Sequence, residues 1–407
     1  MENIIVGIDV GTTKICTLIG QVTDGLVPRI IGVGVVPSRG MRKGMIVNVH
    51  EATEAIARSV DKAERTAGVQ VERAYVSISG EHITSVNSRG VVAISRGERG
   101  VLLSDIERAL DAAQAIAIPH NQEVLHVIPR GYSIDGQDGI REPLGMHGFR
   151  LEVEAHIVTG ARSATQNLSK CIEALDIELE EPVLNPLASG EAVLTPTEQE
   201  MGVVLADIGG GTTGISIFIE GSVWHTVILP VGGHHLTNDI AVGLRAPYAT
   251  AEELKTKCGH AQPGHIEGDE LLDVAAFGEQ ARQQVSRRFL SQIIQARTAE
   301  IFELILKETK RSGYDGLLPA GLVLCGGTAS LPGIQELGRE VLDMPVRVGA
   351  PRGLRGLVDV LNDPAYATSV GLLLWGLRHE SVLRPQRGRR SATQKVVQWL
   401  RRAFLPR

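Results

Sequence analysis

Asp207 closes the apolar run Val203, Val204, Leu205 and Ala206. After Ile208 come Gly209, Gly210, Gly211, Thr212, Thr213 and Gly214, then a second apolar run with Ile215, Ile217 and Phe218. Apolar and β-branched flanks suit two half-buried strands, so the stretch reads as a β-hairpin. Glycines without Cβ let backbone N–H groups approach an anion, and Thr212 and Thr213 add hydroxyl donors, so the turn is built to hold phosphate. Asp207 is placed to act through water on a divalent cation bridging the phosphates, with Mg2+ the expected metal. Alone, such a turn is equally an ordinary hairpin. A second copy near the N-terminus tips the reading: Ile5, Val6 and Ile8 lead to Asp9, then Gly11, Thr12, Thr13 and Lys14, then Ile15, Leu18 and Ile19. Two such hairpins imply two similar domains facing one nucleotide, with Asp9 in the part of Asp207. Neither copy runs through Gly-Lys-Ser/Thr into a helix, which disfavours a P-loop. The turn joins strand to strand, which disfavours a Rossmann site.

A third landmark is the strand-like Leu322, Val323, Leu324 and Cys325 running into Gly326, Gly327 and Thr328. Here a purine and ribose could lie against bare backbone where any side chain would collide.

The paired Asp-Gly-Thr turns and the Gly-Gly-Thr turn, in this order, resemble the actin, sugar kinase and chaperone ATPase superfamily. Within it the chain is similar over nearly its whole length to the FtsA family of bacterial cell-division proteins. The resemblance implies an α/β, actin-like (ribonuclease H-like) two-lobed fold with a small inserted α+β subdomain and a C-terminal amphipathic helix. It implies ATP and Mg2+ as ligands, and a protein that anchors the FtsZ ring to the inner face of the cytoplasmic membrane, polymerises with itself and helps recruit later division proteins. A pilus-assembly scaffold of the same fold and a small-molecule kinase are the alternatives. No Asp base for a sugar pocket can be placed, and the scaffold family lacks a basic amphipathic tail.

The elements that must position these turns follow from periodicity. The first lobe comprises residues 1–80, 160–195 and 362–380, with a helix over 49–67 from the spacing of Ala52, Ala55, Ile56, Val60 and Ala63 and a strand over 74–79. Residues 81–159 form the insert: short strands over 83–86, 91–94 and 123–132, a helix over 104–117 opened by a Ser104/Glu107 capping box, and a strand over 152–159. By resemblance the insert is a protein-contact module, the bland alternative being a decoration without a partner.

The segment 186–194 resembles the first connecting helix of the superfamily. In the related MreB proteins an acidic residue before the matching proline aligns the attacking water. Here that place holds Asn185, which cannot be a general base, so hydrolysis is expected to be slow at most. The second lobe comprises 196–242 and 302–361, with a strand pair over 221–231, and 243–301 forms its smaller subdomain. The polar stretch 246–269 adjoins His234 and His235 and carries His260 and His265, whose spacings match no standard metal site. A long helix is expected over 277–310 with the buried stripe Leu290, Ile293, Ile294, Ile301, Leu304 and Ile305; the resemblance implies that it brings charged residues to the adenosine, with Arg297 a candidate and an ordinary surface arginine the alternative.

Composition excludes other classes. The net charge is −6, yet from Arg378 onward nine Lys and Arg stand against Glu380, which leaves the rest of the chain at about −14. An acidic body argues against a nucleic-acid partner. The isolated cysteines Cys16, Cys171, Cys258 and Cys325 argue against zinc and a disulfide framework, and fit a reducing cytoplasm. No signal peptide or long apolar span is legible, so a peripheral protein at the cytoplasmic face is expected. Residues 381–390 read as a tether and 391–407 as a membrane-targeting helix. At 100° per residue Val396, Val397, Trp399, Leu400, Ala403 and Phe404 share an arc of about 160°, with Lys395, Gln398, Arg401 and Arg402 opposite. Such a helix suits the interface of an anionic bilayer, Arg401 and Arg402 at the head groups. The alternative is a helix docked on the protein's own core or in a partner's groove.

Overall fold

The computed structural model describes residues 3–22, 28–94, 100–266, 268, 270–275 and 282–380. The expected tether and amphipathic helix therefore lie outside the described residues.

Two sheets repeat one design. In the first, Asn3–Val10, Lys14–Val22 and Arg29–Pro37 form an antiparallel meander, and Arg73–Ile78 and then Glu178–Leu184 add in parallel beside Asn3–Val10. In the second, Val203–Ile208, Thr213–Ile219 and Ser222–Leu229 form the meander, and Leu322–Cys325 and Val346–Val348 add in parallel. The inner strands are buried along nearly their whole length, as expected for sheets covered on both faces. Helix Val49–Ala67 buries Ala52, Ala55, Ile56, Val60 and Ala63 on the first sheet; Asn48 accepts the N–H of Glu51 at its start and Gly68 ends it. Helices Asn185–Val193 and Ala367–Glu380 cross between the two sheets. They approach so closely that a Cβ on Gly371 would lie 1.8 Å from Ala188 O, which is why small residues occupy the crossing.

The insert is a third sheet, in the order Thr84–Ala93, Arg150–Ala161, Gln122–Ile134 and Gln137–Ile140, with helix Leu103–Gln114 packed on it through Ile106, Ala109 and Leu110. Thr84–Ala93 is one strand where the sequence suggests two. The expected capping box is also displaced, because the N-cap lies two residues earlier at Leu102 and the Asp105 carboxylate, not Glu107, accepts the Leu102 N–H at 3.0 Å. The edge strand of the insert docks on the edge strand of the second sheet. His156 bridges Asn87 Oδ1 (2.6 Å) and Thr226 Oγ1 (3.0 Å), and Ser85 donates to Thr226 O (2.8 Å).

Two expectations fail in the second half, and one helix has no counterpart in the sequence reading. Residues 221–231 hold one strand, Ser222–Leu229, whose partner is the preceding strand. The polar stretch 246–269 contains the helix Tyr248–Cys258, which buries only Ala251 and Leu254 and so shows little periodicity. The long helix spans Arg287–Ser312 rather than starting at 277; before it Arg282–Ser286 pairs with Leu271–Ala275, inward Leu272, Val274 and Val285 alternating at period two. No helix among the described residues is long and apolar enough to cross a membrane. The four cysteines are free.

An ion pair joins the connection between the lobes to the last strand of the second sheet. Glu198 accepts from Arg347 Nε (2.6 Å) and Nη2 (2.7 Å) and from the Thr195 N–H (2.8 Å). Burial opposes its charge, but these donors outweigh that and hold its pKa at about 2. A depressed carboxylate stabilises the fold above its unfolded value near 4.5, and that contribution is lost as pH falls toward about 2. Glu198→Gln is expected to cost about 2 kcal/mol at pH 7. Denaturant titrations at pH 7 and near pH 3 check this: the deficit must shrink at the lower pH.

Candidate functional site

Each hairpin turn closes in the same way: the Gly11 N–H donates to Lys14 O at 3.1 Å and the Gly209 N–H to Thr212 O at 2.9 Å. The turns face each other. A Cβ on Gly210 would lie 2.0 Å from Thr13 Oγ1, and one on Gly211 2.8 Å from Thr12 Oγ1, so these glycines also let the turns meet. Side chains complete the contact: Thr13 Oγ1 lies 3.2 Å from His234 Nε2, and Ser79 Oγ 3.3 Å from Thr212 Oγ1.

Between the turns opens a cleft of about 400 Å3. Asp9, Gly11, Thr12, Thr13 and Lys14 line it from one side, and Asp207, Gly209, Gly210 and Thr212 from the other. Gly326, Gly327 and Thr328 form its far wall, tied to the second turn by Thr328 Oγ1 donating to Gly209 O at 3.2 Å. Gly211 and Thr213, expected at the phosphates, stand off this wall. Gly211 is pressed against Thr12 and Lys43, and the Thr213 hydroxyl donates to Val231 O at 2.8 Å beneath the turn.

Both carboxylates are buried among hydroxyls. Asp9 accepts from Ser77 Oγ (3.0 Å) and Ser369 Oγ (2.9 Å); Asp207 Oδ2 accepts from Ser189 Oγ (2.6 Å) and Thr368 Oγ1 (2.9 Å). Burial pushes both pKa values above the ordinary carboxylate range, against the pull of Lys14 and these hydroxyls. Lys14 Nζ donates to Ala365 O at 2.6 Å and sits 3.8 Å over the Tyr366 ring. Asn185 lines the cleft, and its Oδ1 is buried without a hydrogen-bond partner among the described residues.

A family model described as "Cell division protein FtsA" matches residues 204–371, and one described as "SHS2 domain inserted in FTSA" matches residues 80–159. The chain is 46% identical to the cell division protein FtsA of Pseudomonas aeruginosa, over 93% of this chain and 90% of that one. It is 38% identical to the Bacillus subtilis FtsA, over 93% and 84%. The chain belongs to the FtsA family of cell-division proteins. Solved structures outside the FtsA family share its fold. A PilM-PilN type IV pilus biogenesis complex aligns with a TM-score of 0.64 at 15% identity, covering 92% of this chain and 98% of that one. MreB5 of Spiroplasma citri bound to ADP aligns at 0.55 and 13%, covering 91% and 94%.

For this FtsA-family chain the structure adds residues that the sequence did not single out. Glu252, Lys255 and Thr256 enter the cleft from the helix Tyr248–Cys258. Lys255 Nζ donates to Gly233 O (3.1 Å), Thr237 Oγ1 (2.8 Å) and Glu252 (2.7 Å). Arg297 points elsewhere: it pairs with Asp239 and Glu300. His234 stands at the cleft, while His260 and His265 stack on each other with ring centroids 5.7 Å apart. No group of metal-holding His, Cys, Asp and Glu occurs among the described residues.

Proposed function

We propose that this FtsA-family protein binds ATP with Mg2+ in the cleft and uses it as a ligand that closes the lobes and favours self-assembly. The observation that carries the reading is the convergence of two identically closed Asp-Gly-Thr turns and a Gly-Gly-Thr turn on one cleft. Backbone N–H groups and hydroxyls of the turns and the Lys14 ammonium suit phosphate. Glu252 and Lys255 offer an acceptor and a donor to sugar hydroxyls, and Gly326 and Gly327 present bare backbone to the base. Asp9 and Asp207, hard oxygen ligands at the wall, fit Mg2+ held through water. When bound, the metal neutralises phosphate charge; the protein's own part is to orient the phosphates and hold the hydroxyl network around the two carboxylates. Calorimetry with ATP in the presence and absence of Mg2+ tests the reading, and absence of binding would overturn it.

Asn185 carries no basic atom where a water-aligning carboxylate is expected, so hydrolysis is slow. Phosphate release from the ATP-loaded protein is expected far below the roughly 10 s−1 median of enzymes; turnover at that rate contradicts the reading.

The partners follow from the family and the tail: FtsZ, other copies of this chain, later division proteins and an anionic membrane surface at the division site. One interfacial helix attaches reversibly, and polymerisation multiplies the attachment by effective concentration. Replacing Trp399 by Glu is expected to release the protein from anionic vesicles by about tenfold or more, since each buried CH2 contributes about 0.8 kcal/mol and the charge adds repulsion. ATP binding should be untouched. Vesicle pelleting with and without FtsZ checks both; continued pelleting of Trp399→Glu makes the tail a docked element instead.

A further inference from the structure

His234 is the side chain that joins the two turns. Its backbone N–H donates to Gly210 O at 2.8 Å, and its Nε2 lies 3.2 Å from Thr13 Oγ1, so the second turn holds it while it touches the first. Any phosphate gripped by both turns lies beside this ring. The other groups on the cleft wall that could accept a proton are engaged. Asp9 and Asp207 are enclosed by Ser and Thr hydroxyls, and Glu252 is bound by Lys255 and Thr237. Asn185, the residue nearest in role to a water-aligning base, has no basic atom.

The surroundings keep the imidazole neutral. Burial disfavours its cation, Lys255 from the neighbouring helix and the adjacent His235 act in the same sense, and Glu252 opposes them. Tyr248 closes the other side with its ring edge-on, centroids 6.3 Å apart. The His234 pKa therefore lies below the ordinary histidine value, which leaves one ring nitrogen unprotonated at neutral pH.

We infer that His234 is the proton acceptor of a slow hydrolysis of the terminal phosphate of bound ATP. The inference rests on the ATP reading above. In this step the water oxygen bonds to the terminal phosphorus as the bond from that phosphorus to the bridging oxygen breaks. The bridging oxygen keeps the electron pair and leaves as ADP. The proton lost by the water passes to His234, and the imidazolium later returns it to solvent.

The test uses the full chain with Mg-ATP. His234→Gln keeps a hydrogen-bonding group toward Thr13 but cannot take up the proton. It is expected to bind ATP within about threefold of the unaltered protein by calorimetry, while phosphate release falls about 100-fold, the size of a general-base contribution. The unaltered protein should lose rate as pH falls below neutral, through one ionisation, and the variant should not. A variant that hydrolyses at the unaltered rate overturns the inference. So does a flat profile for the unaltered protein, which needs no variant to measure, or an unaltered protein that binds ATP and releases no phosphate. Failure of the unaltered protein to bind ATP overturns instead the nucleotide reading on which the step depends.

Discussion

Gly327→Val is expected to abolish ATP binding while leaving the fold as stable as before, whereas Gly210→Val should damage both. The two glycines differ in what a side chain meets. At Gly327 the only atom of the described residues within 4 Å of an added Cβ is Ala365 Cβ at 3.8 Å, so the new methyls project into the cleft and displace only a ligand. At Gly210 the Cβ would stand 2.0 Å from Thr13 Oγ1 and 3.3 Å from His234 Nε2, so Thr13 must turn away or the two turns must separate, and either way the Thr13–His234 bond is lost. Overpacking of this kind costs about 1–3 kcal/mol. Loss of a ligand's seat against backbone costs about 3 kcal/mol of affinity or more, a factor of more than 100. Calorimetry for ATP and thermal melts of the ligand-free proteins separate the two. A Gly327→Val protein that binds normally would remove that wall from the site.

Asp207→Asn should have opposite effects on stability and on binding. The carboxylate is buried, its hydrogen bonds come from two neutral hydroxyls, and the pull of Lys14 does not offset the cost of burying its charge. The amide removes that charge at nearly constant shape, so the ligand-free variant is expected to melt a few degrees higher, about 2–4 °C per kcal/mol for a domain of this size. The same change removes a hard anionic oxygen from the phosphate end of the cleft. The tightening of ATP binding by Mg2+ should then fall by about tenfold or more, 1.4 kcal/mol. Asp9→Asn should behave alike, because Ser77 and Ser369 enclose it in the same manner. A variant that melts lower and still responds fully to Mg2+ would make Asp207 a structural carboxylate. Stability and metal response move independently in this pair of measurements, so a general loss of folding cannot imitate the expected result.

The duplication was legible because its signal is local. Asp9 to Lys14 and Asp207 to Thr213 each place a carboxylate, a turn and hydroxyls within one short stretch between apolar strands, and each hairpin forms there. The helix Val49–Ala67 was legible for the same reason, since five buried positions recur at helical spacing and Gly68 ends it. Where periodicity is weak the reading failed. The helix Tyr248–Cys258 buries two residues only, and the strand Arg282–Ser286, which pairs with Leu271–Ala275, was absorbed into the long helix that follows it. Glu252 and Lys255 were lost with that first helix.

The sequence by itself determined the two-lobed actin-like architecture, the three turns and the family resemblance, because backbone preference and spacing are properties of neighbouring residues. Only the tertiary structure decided what surrounds the chemistry. Ser77 meets Asp9 across 68 positions of chain, Thr368 meets Asp207 across 161, His234 meets Thr13 across 221 and Ser369 meets Asp9 across 360. A lone serine or histidine has no local signature of such a partner. Its role is set by how two sheets and two crossing helices pack, and that packing depends on the apolar pattern of the whole chain rather than on the residue itself.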